Sequence, residues 1–211
     1  FSEPEVLQLA LSDIPVVTID YIFNDRLAVV SDNAKGMEDL FTYIYQMGHR
    51  RIAYIHGTDS AVTTNRLSSF YRTAEKLGVE IPDEYVMMTR YRDTKGAGEA
   101  TEKLLDLRRP PTCIIYPDDF AAFGGIHVIR ERGMSIPEDI SIAGYDGIRL
   151  AKLTVPNLTT LCQDTQHLGQ YAAEKLIDLI EKPKTAMRNI TIVQGKLYEG
   201  QTVLKLDGSR G

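Results

Sequence analysis

The chain has 211 residues, 43% of them apolar and 25% charged, with a formal net charge of −5. That apolar share suits one large or two small hydrophobic cores, and the acidic balance excludes bulk attraction to nucleic acid. No apolar run of about 18 residues marks a membrane span, no Lys/Arg run marks a DNA-binding patch, and no signal-type segment is present. The sequence opens in mid-element at Phe1 without an initiator Met, and reads as a fragment.

Residues 6–12 read as the tail of a helix, and residues 16–19 as a strand ending at Asp20. A second β-rich run, 27–30, ends at Ser31, Asp32 and Asn33. The period then changes. Met37, Leu40, Phe41, Ile44 and Met47 recur at helical spacing, with Asn33 placed as N-cap and Gly48 as the stop. Residues 51–55 form the next strand, closed by His56 and Gly57. The polar loop 58–64 leads to a helix with Leu67, Phe70, Tyr71, Ala74 and Leu77 on its inner face, stopped by Gly78. Strand 84–89, loop 91–94 and a helix to about Leu107 follow.

Pro110 and Pro111 separate that helix from residues 113–116, a short apolar run of the kind buried in a parallel sheet. Asp118 and Asp119 stand at its carboxyl end. A helix then runs to about Arg132 before Gly133, and strand 140–143 leads into Tyr145, Asp146 and Gly147. Four β–α repeats in succession predict an α/β fold with a parallel sheet and right-handed crossovers. In such sheets ligands sit at the carboxyl ends of the strands, so Asp118, Asp119 and Asp146 converge on the ligand edge. Beyond Gly147 the alternation falters: 158–163 is extended, and Asp164 or Thr165 caps a helix with Leu168, Ala172, Leu176, Leu179 and Ile180 inward, ending at Pro183. Two β-rich segments, 189–193 and 196–198, precede a polar, frayed tail from Leu206.

Cys113 and Cys162 lie in apolar runs without metal-ligand spacing and read as reduced core residues. His49, His56, His127 and His167 are scattered; His49 reads as a structural hydrogen-bonder. No nucleophile-elbow or Walker pattern occurs, and Gly96-Ala-Gly98 lacks the third glycine of a dinucleotide loop.

Four motifs carry a resemblance. Gly48-His-Arg-Arg-Ile-Ala, Tyr116-Pro-Asp-Asp-Phe-Ala-Ala-Phe-Gly, Pro137-Glu-Asp-Ile-Ser-Ile-Ala-Gly-Tyr-Asp and Leu158-Thr-Thr-Leu-Cys-Gln-Asp resemble, in order, the lactose/galactose-repressor family of bacterial transcription regulators. The resemblance covers nearly all of residues 28–204. It implies a periplasmic-binding-protein-like fold: a doubly wound parallel-sheet subdomain plus an incomplete second α/β subdomain, flanking a cleft. Residues 33–163 and 189–206 fall in the carboxyl-side subdomain, residues 1–32 and 164–188 in a remnant of the amino-side one, and 207–211 form a tail. The remnant is expected to leave apolar sheet surface uncovered around Val16, Val17 and Ile19. The family's DNA-reading headpiece is expected outside these residues.

The resemblance also implies a sugar-like effector bound by Asp20, Arg66, Asp118, Asp146 and Gln163, with Tyr91 and Arg92 nearby. These residue types suit sugars, because carboxylates and amides accept from paired hydroxyls and Arg donates in a fixed fork. Asp118 departs from the family's usual Asn, which favours a polyhydroxy or cationic effector unless Arg66 or Arg92 compensates. Asp119 reads as a helix cap, and Phe123 matches a position at the family's homodimer interface. The expectation is a cytoplasmic, non-enzymatic repressor core without catalytic residues, metal or cofactor. The alternatives are a periplasmic sugar carrier and a Mg²⁺-dependent phosphoryl-transfer enzyme that uses the three aspartates.

Overall fold

A computed structural model describes residues 8, 14–22, 27–183 and 189–207. Most of the helix read at 6–12 and the end of the tail, 208–211, lie outside the described residues. The chain divides into two compact units, Phe1–Asp32 with Asp164–Gln194, and Asn33–Gln163 with Gly195–Gly211.

The larger unit holds β3 (Ile52–His56), β4 (Val86–Met88), β5 (Cys113–Ile115), β6 (Ser141–Asp146), β7 (Thr159–Cys162) and β9 (Lys196–Tyr198). Its helices are α1 (Asn33–Gln46), α2 (Ala61–Lys76), α3 (Thr94–Leu105) and α4 (Asp119–Glu131). The strands lie in the order β4-β3-β5-β6-β7-β9, all parallel except the last pair. Alternate side chains of each strand point to opposite faces, so each face has its own core. Ala53, Ile55, Ile114 and Ile142 pack against Ala97 and Leu104 of α3 and Ala122 and Ile129 of α4. Ile52, Tyr54, Ile115, Ala143 and Tyr145 pack against Leu40 and Phe41 of α1 and Phe70 of α2. The sheet is therefore doubly wound.

That winding positions the site. The path from β3 through α2 to β4 runs one way along the sheet, and α3 carries the chain back across β3 to β5. The order reverses between β3 and β5, and a crevice at the carboxyl ends of such a pair is where ligands bind in open α/β sheets. Gly57 follows β3 at this point, and Asp118 stands just beyond β5.

The smaller unit holds β1 (Thr18–Ile19), β2 (Ala28–Ser31), β8 (Ile190–Val193) and α5 (Thr165–Glu181), with the strands parallel in the order β1-β2-β8. This corrects the expected division: 190–193 pairs with β2 here rather than joining the larger sheet, and the chain returns to the larger unit only at Gly195. One face packs Val29 and Val193 on Leu168 and Ala172 of α5. The other presents Ile190 and Ile192, 39% and 62% exposed. Val16 and Val17 are half-buried and Ile19 is 50% exposed, so apolar surface stays uncovered. On α5 only Leu168 and Ala172 are buried and Ile180 points outward, against the inward face expected for it.

Other local readings change in ways with physical causes. Strand 84–89 shortens to β4 because Asp83–Tyr85 forms a 3₁₀ turn first. Tyr71 lies on the outer side of α2, 42% exposed. The tail does not fray at Leu206, whose amide donates to the Met47 carbonyl at 2.7 Å. His49 sits 1% exposed between the Thr112 hydroxyl (2.9 Å) and the Leu204 carbonyl (3.0 Å), and burial lowers its pKa to about 4. Both cysteines are free; Cys113 is buried and Cys162 half-buried.

Among the described residues, the Tyr54 hydroxyl is the one buried side-chain polar atom without a partner. An unsatisfied buried hydroxyl costs about 1–3 kcal/mol. Tyr54→Phe is therefore expected to raise stability by about 1 kcal/mol, read as a higher denaturant midpoint at unchanged m-value; a loss of stability would mean the hydroxyl is satisfied.

Candidate functional site

The site is built outward from Arg66. Ser60 caps α2 by accepting from the Thr63 amide, and Arg66 follows on the second turn, 2% exposed. Its Nε donates to Asn33 Oδ1 (2.8 Å) and one terminal nitrogen donates to the Pro117 carbonyl (2.9 Å). The guanidinium lies over the Tyr145 ring, 3.5 Å from the centroid, and its other terminal nitrogen stands 3.8 Å from Asp146 Oδ1. A buried guanidinium is tolerated when its donors and charge are matched, as here. Asn33, expected to cap α1, instead begins the helix and orients Arg66.

Asp146 ends β6 with a φ of 100°, rare for a side-chain-bearing residue. Its Oδ1 also accepts from Gln163 Nε2 at 2.7 Å, and its backbone carbonyl accepts from the Gln163 amide. Arg66, Asp146 and Gln163 thus form one connected network in the larger unit. Burial raises the Asp146 pKa; the Arg66 charge opposes this and the Asp118 charge adds to it.

The cap falls to Asp118 rather than to Asp119, where it was expected. Asp118 is the N-cap of α4: Oδ1 accepts from the Ala121 amide (2.9 Å) and Oδ2 from the Arg92 amide (2.7 Å). Each of its oxygens thus accepts one backbone amide. Asp119 is no cap. It is fully buried, with Oδ1 accepting from the Thr160 hydroxyl (2.6 Å) and Oδ2 from the Ile148 amide (2.8 Å). Gly144 makes room for it, since a β-carbon there would overlap Asp119 Oδ1. Burial raises its pKa to about 7, against the Thr160 and Ile148 hydrogen bonds, and the Asp146 charge adds to the rise. Asp119 therefore clamps the turn that follows Asp146.

Tyr91 and Arg92 lie in the loop before α3. The Tyr91 ring fills the space a side chain at Gly57 would occupy, and its hydroxyl meets Thr63 Oγ1 at 2.9 Å. Arg92 is exposed, with a φ of 59°. Asp20 belongs to the smaller unit, where its carboxylate accepts from the Ser31 amide (2.6 Å) and hydroxyl (3.1 Å); its φ is 52°. Asp20, Arg92 and Asp146 are the side-chain-bearing residues with positive φ among those described, and strain of this kind gathers at functional sites.

Asn33, Tyr145, Thr160 and the clamping role of Asp119 escaped the sequence reading. Two polar residues running through a buried strand, Thr159 and Thr160, were the available signal. Phe123 lies on α4, half-buried, with its ring 6.2 Å from that of Phe120. It lines a groove of about 500 Å³ between α3 and α4 with Lys95, Glu99 and His127. Among the described residues, no three His, Cys, Asp or Glu side chains are grouped to hold a metal ion. No described helix is long and apolar enough to cross a membrane.

Residues 41–203 match the periplasmic binding protein-like domain family. The chain belongs to that family. It is 30% identical over 207 residues to the HTH-type transcriptional repressor PurR of Salmonella arizonae, covering 95% of this chain and 60% of the relative. A regulatory protein of the LacI family from Chloroflexus aggregans superposes with a TM-score of 0.85 at 26% identity, covering 96% of this chain and 73% of the other. A LacI family transcriptional regulator from Enterococcus faecium, solved with bound ribose, gives 0.82 at 26% identity, covering 92% and 72%. The chain spans about half the length of the curated relatives it matches.

Asp119 makes a pH prediction. A folded pKa of about 7 against about 3.9 in an unfolded chain means the folded state holds the proton more tightly. The stability this lends is complete below about pH 4 and lost as pH rises through about 7. Chemical denaturation of wild type and Asp119→Asn should show their stability difference shifting against wild type by a few kcal/mol between pH 4 and pH 7.5. A pH-independent difference would place an ordinary ionised carboxylate there.

Proposed function

We propose that this chain is the effector-binding core of a bacterial transcriptional repressor. A small molecule, a sugar or sugar derivative, binds at the carboxyl edge of the larger sheet and controls DNA binding by a segment outside these 211 residues. The observation that carries this reading is the Arg66–Asp146–Gln163 network, which places a buried cation, a strained carboxylate and an amide at the edge where open α/β sheets take ligands. The ribose bound to the Enterococcus faecium regulator supports the effector class. Control of DNA binding requires the effector to favour one of two states of the protein, not merely to bind tightly.

The role is binding rather than catalysis, and its setting is the cytoplasm. A magnesium clamp is disfavoured because Asp118 and Asp119 already commit their oxygens to protein amides and a hydroxyl. The functional form is a homodimer, with Phe123 and the α3–α4 groove at its interface.

Calorimetry of the full-length protein against pentoses, hexoses, sugar phosphates and nucleosides tests the effector site. At least one class should bind, with Arg66→Lys weakening it by about tenfold or more, since an ammonium does not reproduce the planar fork. Binding indifferent to Arg66→Lys and Gln163→Ala would contradict this site. Sedimentation of Phe123→Asp should show a monomer where wild type is a dimer; an unchanged mass would move the interface elsewhere.

A further inference from the structure

The sequence shows an acidic ligand edge: three aspartates at two strand ends. The structure inverts that picture. Each Asp118 oxygen accepts one backbone amide, and Asp119 is fully buried with both oxygens engaged. Asp146 shares Oδ1 with Gln163 and faces Arg66. The acidic groups are largely consumed within the protein.

Arg92 stands in the opposite condition. It is exposed, and its guanidinium makes no hydrogen bond or ion pair among the described residues. Yet its backbone is held with unusual care. The left-handed conformation at φ 59° is costly for a side-chain-bearing residue, and the Asp118 carboxylate secures it by accepting the Arg92 amide at 2.7 Å. The flanking residues are tied down too. Tyr91 bonds to Thr63 and packs on Gly57, and Asp93 caps α3 by accepting from the Gly96 amide. A strained backbone over-determined on both sides, carrying a guanidinium that makes no hydrogen bond or ion pair among the described residues and whose charge reaches Asp146 at the ligand edge, is the signature of a group held ready for something absent from the chain itself.

Resting on the effector-site reading above, we propose that the effector is an anionic sugar derivative, and that Arg92 receives its carboxylate or phosphate. Asp118 is then a positioning residue: its carboxylate sets the Arg92 backbone and so the direction of the guanidinium. This accounts for a carboxylate at position 118, because an ionised acceptor with two oxygens serves the Ala121 and Arg92 amides together, whereas an amide would turn its NH₂ toward one of them. A guanidinium fits both anions, each offering two oxygens to its fork.

The test is calorimetry of the full-length protein at 0.15 M salt (about physiological) with matched pairs: ribose 5-phosphate against ribose, glucuronate against glucose, and galacturonate against galactose. In wild type at least one anionic member should bind on the order of tenfold or more tighter than its neutral partner. Arg92→Gln should bring that ratio close to one, and Arg92→Lys should restore part of it. A neutral partner that binds as tightly, or a ratio that survives Arg92→Gln, overturns the anion assignment; if Arg66→Lys still weakens that binding, the effector site itself stands. No binding by any pair overturns the anion assignment, and binding insensitive to both Arg66→Lys and Arg92→Gln overturns both readings.

Discussion

A guanidinium removed from water is among the costliest groups a protein can bury, and the candidate site is organised around making that burial tolerable at Arg66. Each requirement of the group recruits a different element. Asn33 comes from the start of α1, the Pro117 carbonyl from the end of β5, the Tyr145 ring from β6 and the Asp146 charge from the end of the same strand. Satisfying one cation thus fixes the mutual placement of a helix start and two strand ends. The doubly wound sheet brings those parts to a common edge, and the cation locks them there.

The polar groups around Arg66 form a second tier whose members act on one another. Asp119 holds the turn after Asp146 through Ile148 and Thr160, and Asp118 holds the loop that carries Arg92. Two adjacent aspartates therefore steer two separate segments toward the same edge. In a low-dielectric setting such connected groups act as a unit, which explains why Asp146 feels Arg66, Asp118, Gln163 and Arg92 together.

Much of the larger unit was legible in the sequence, because β–α alternation with short loops admits few sheet topologies. The strand ends at Asp118 and Asp146 followed from the same pattern. What failed were choices between partners that local sequence does not contain. Asn33 has the chemistry of a cap and precedes an apolar helical run, but a buried Arg66 competes for its oxygen and wins. Asp118 and Asp119 are equivalent on paper; only the three-dimensional position of Thr160 and the Ile148 amide assigns one to capping and the other to clamping. The resemblance implies a crossing before residue 189, whereas 190–193 pairs with β2 and the chain crosses to the larger unit only at Gly195. Ile180 faces outward because the smaller unit's short sheet covers only one stretch of that helix.

The central claim is that the Arg66-organised edge of the larger sheet is the effector site. Hydrogen exchange of the full-length protein, with and without the tightest-binding sugar of the panel, addresses it directly. The account predicts added protection at the amides of Arg92, Ile148 and Gln163 and in the loop that opens α2, with little change along the α3–α4 groove. Protection confined to other parts of the chain, with these amides unaffected, would contradict it.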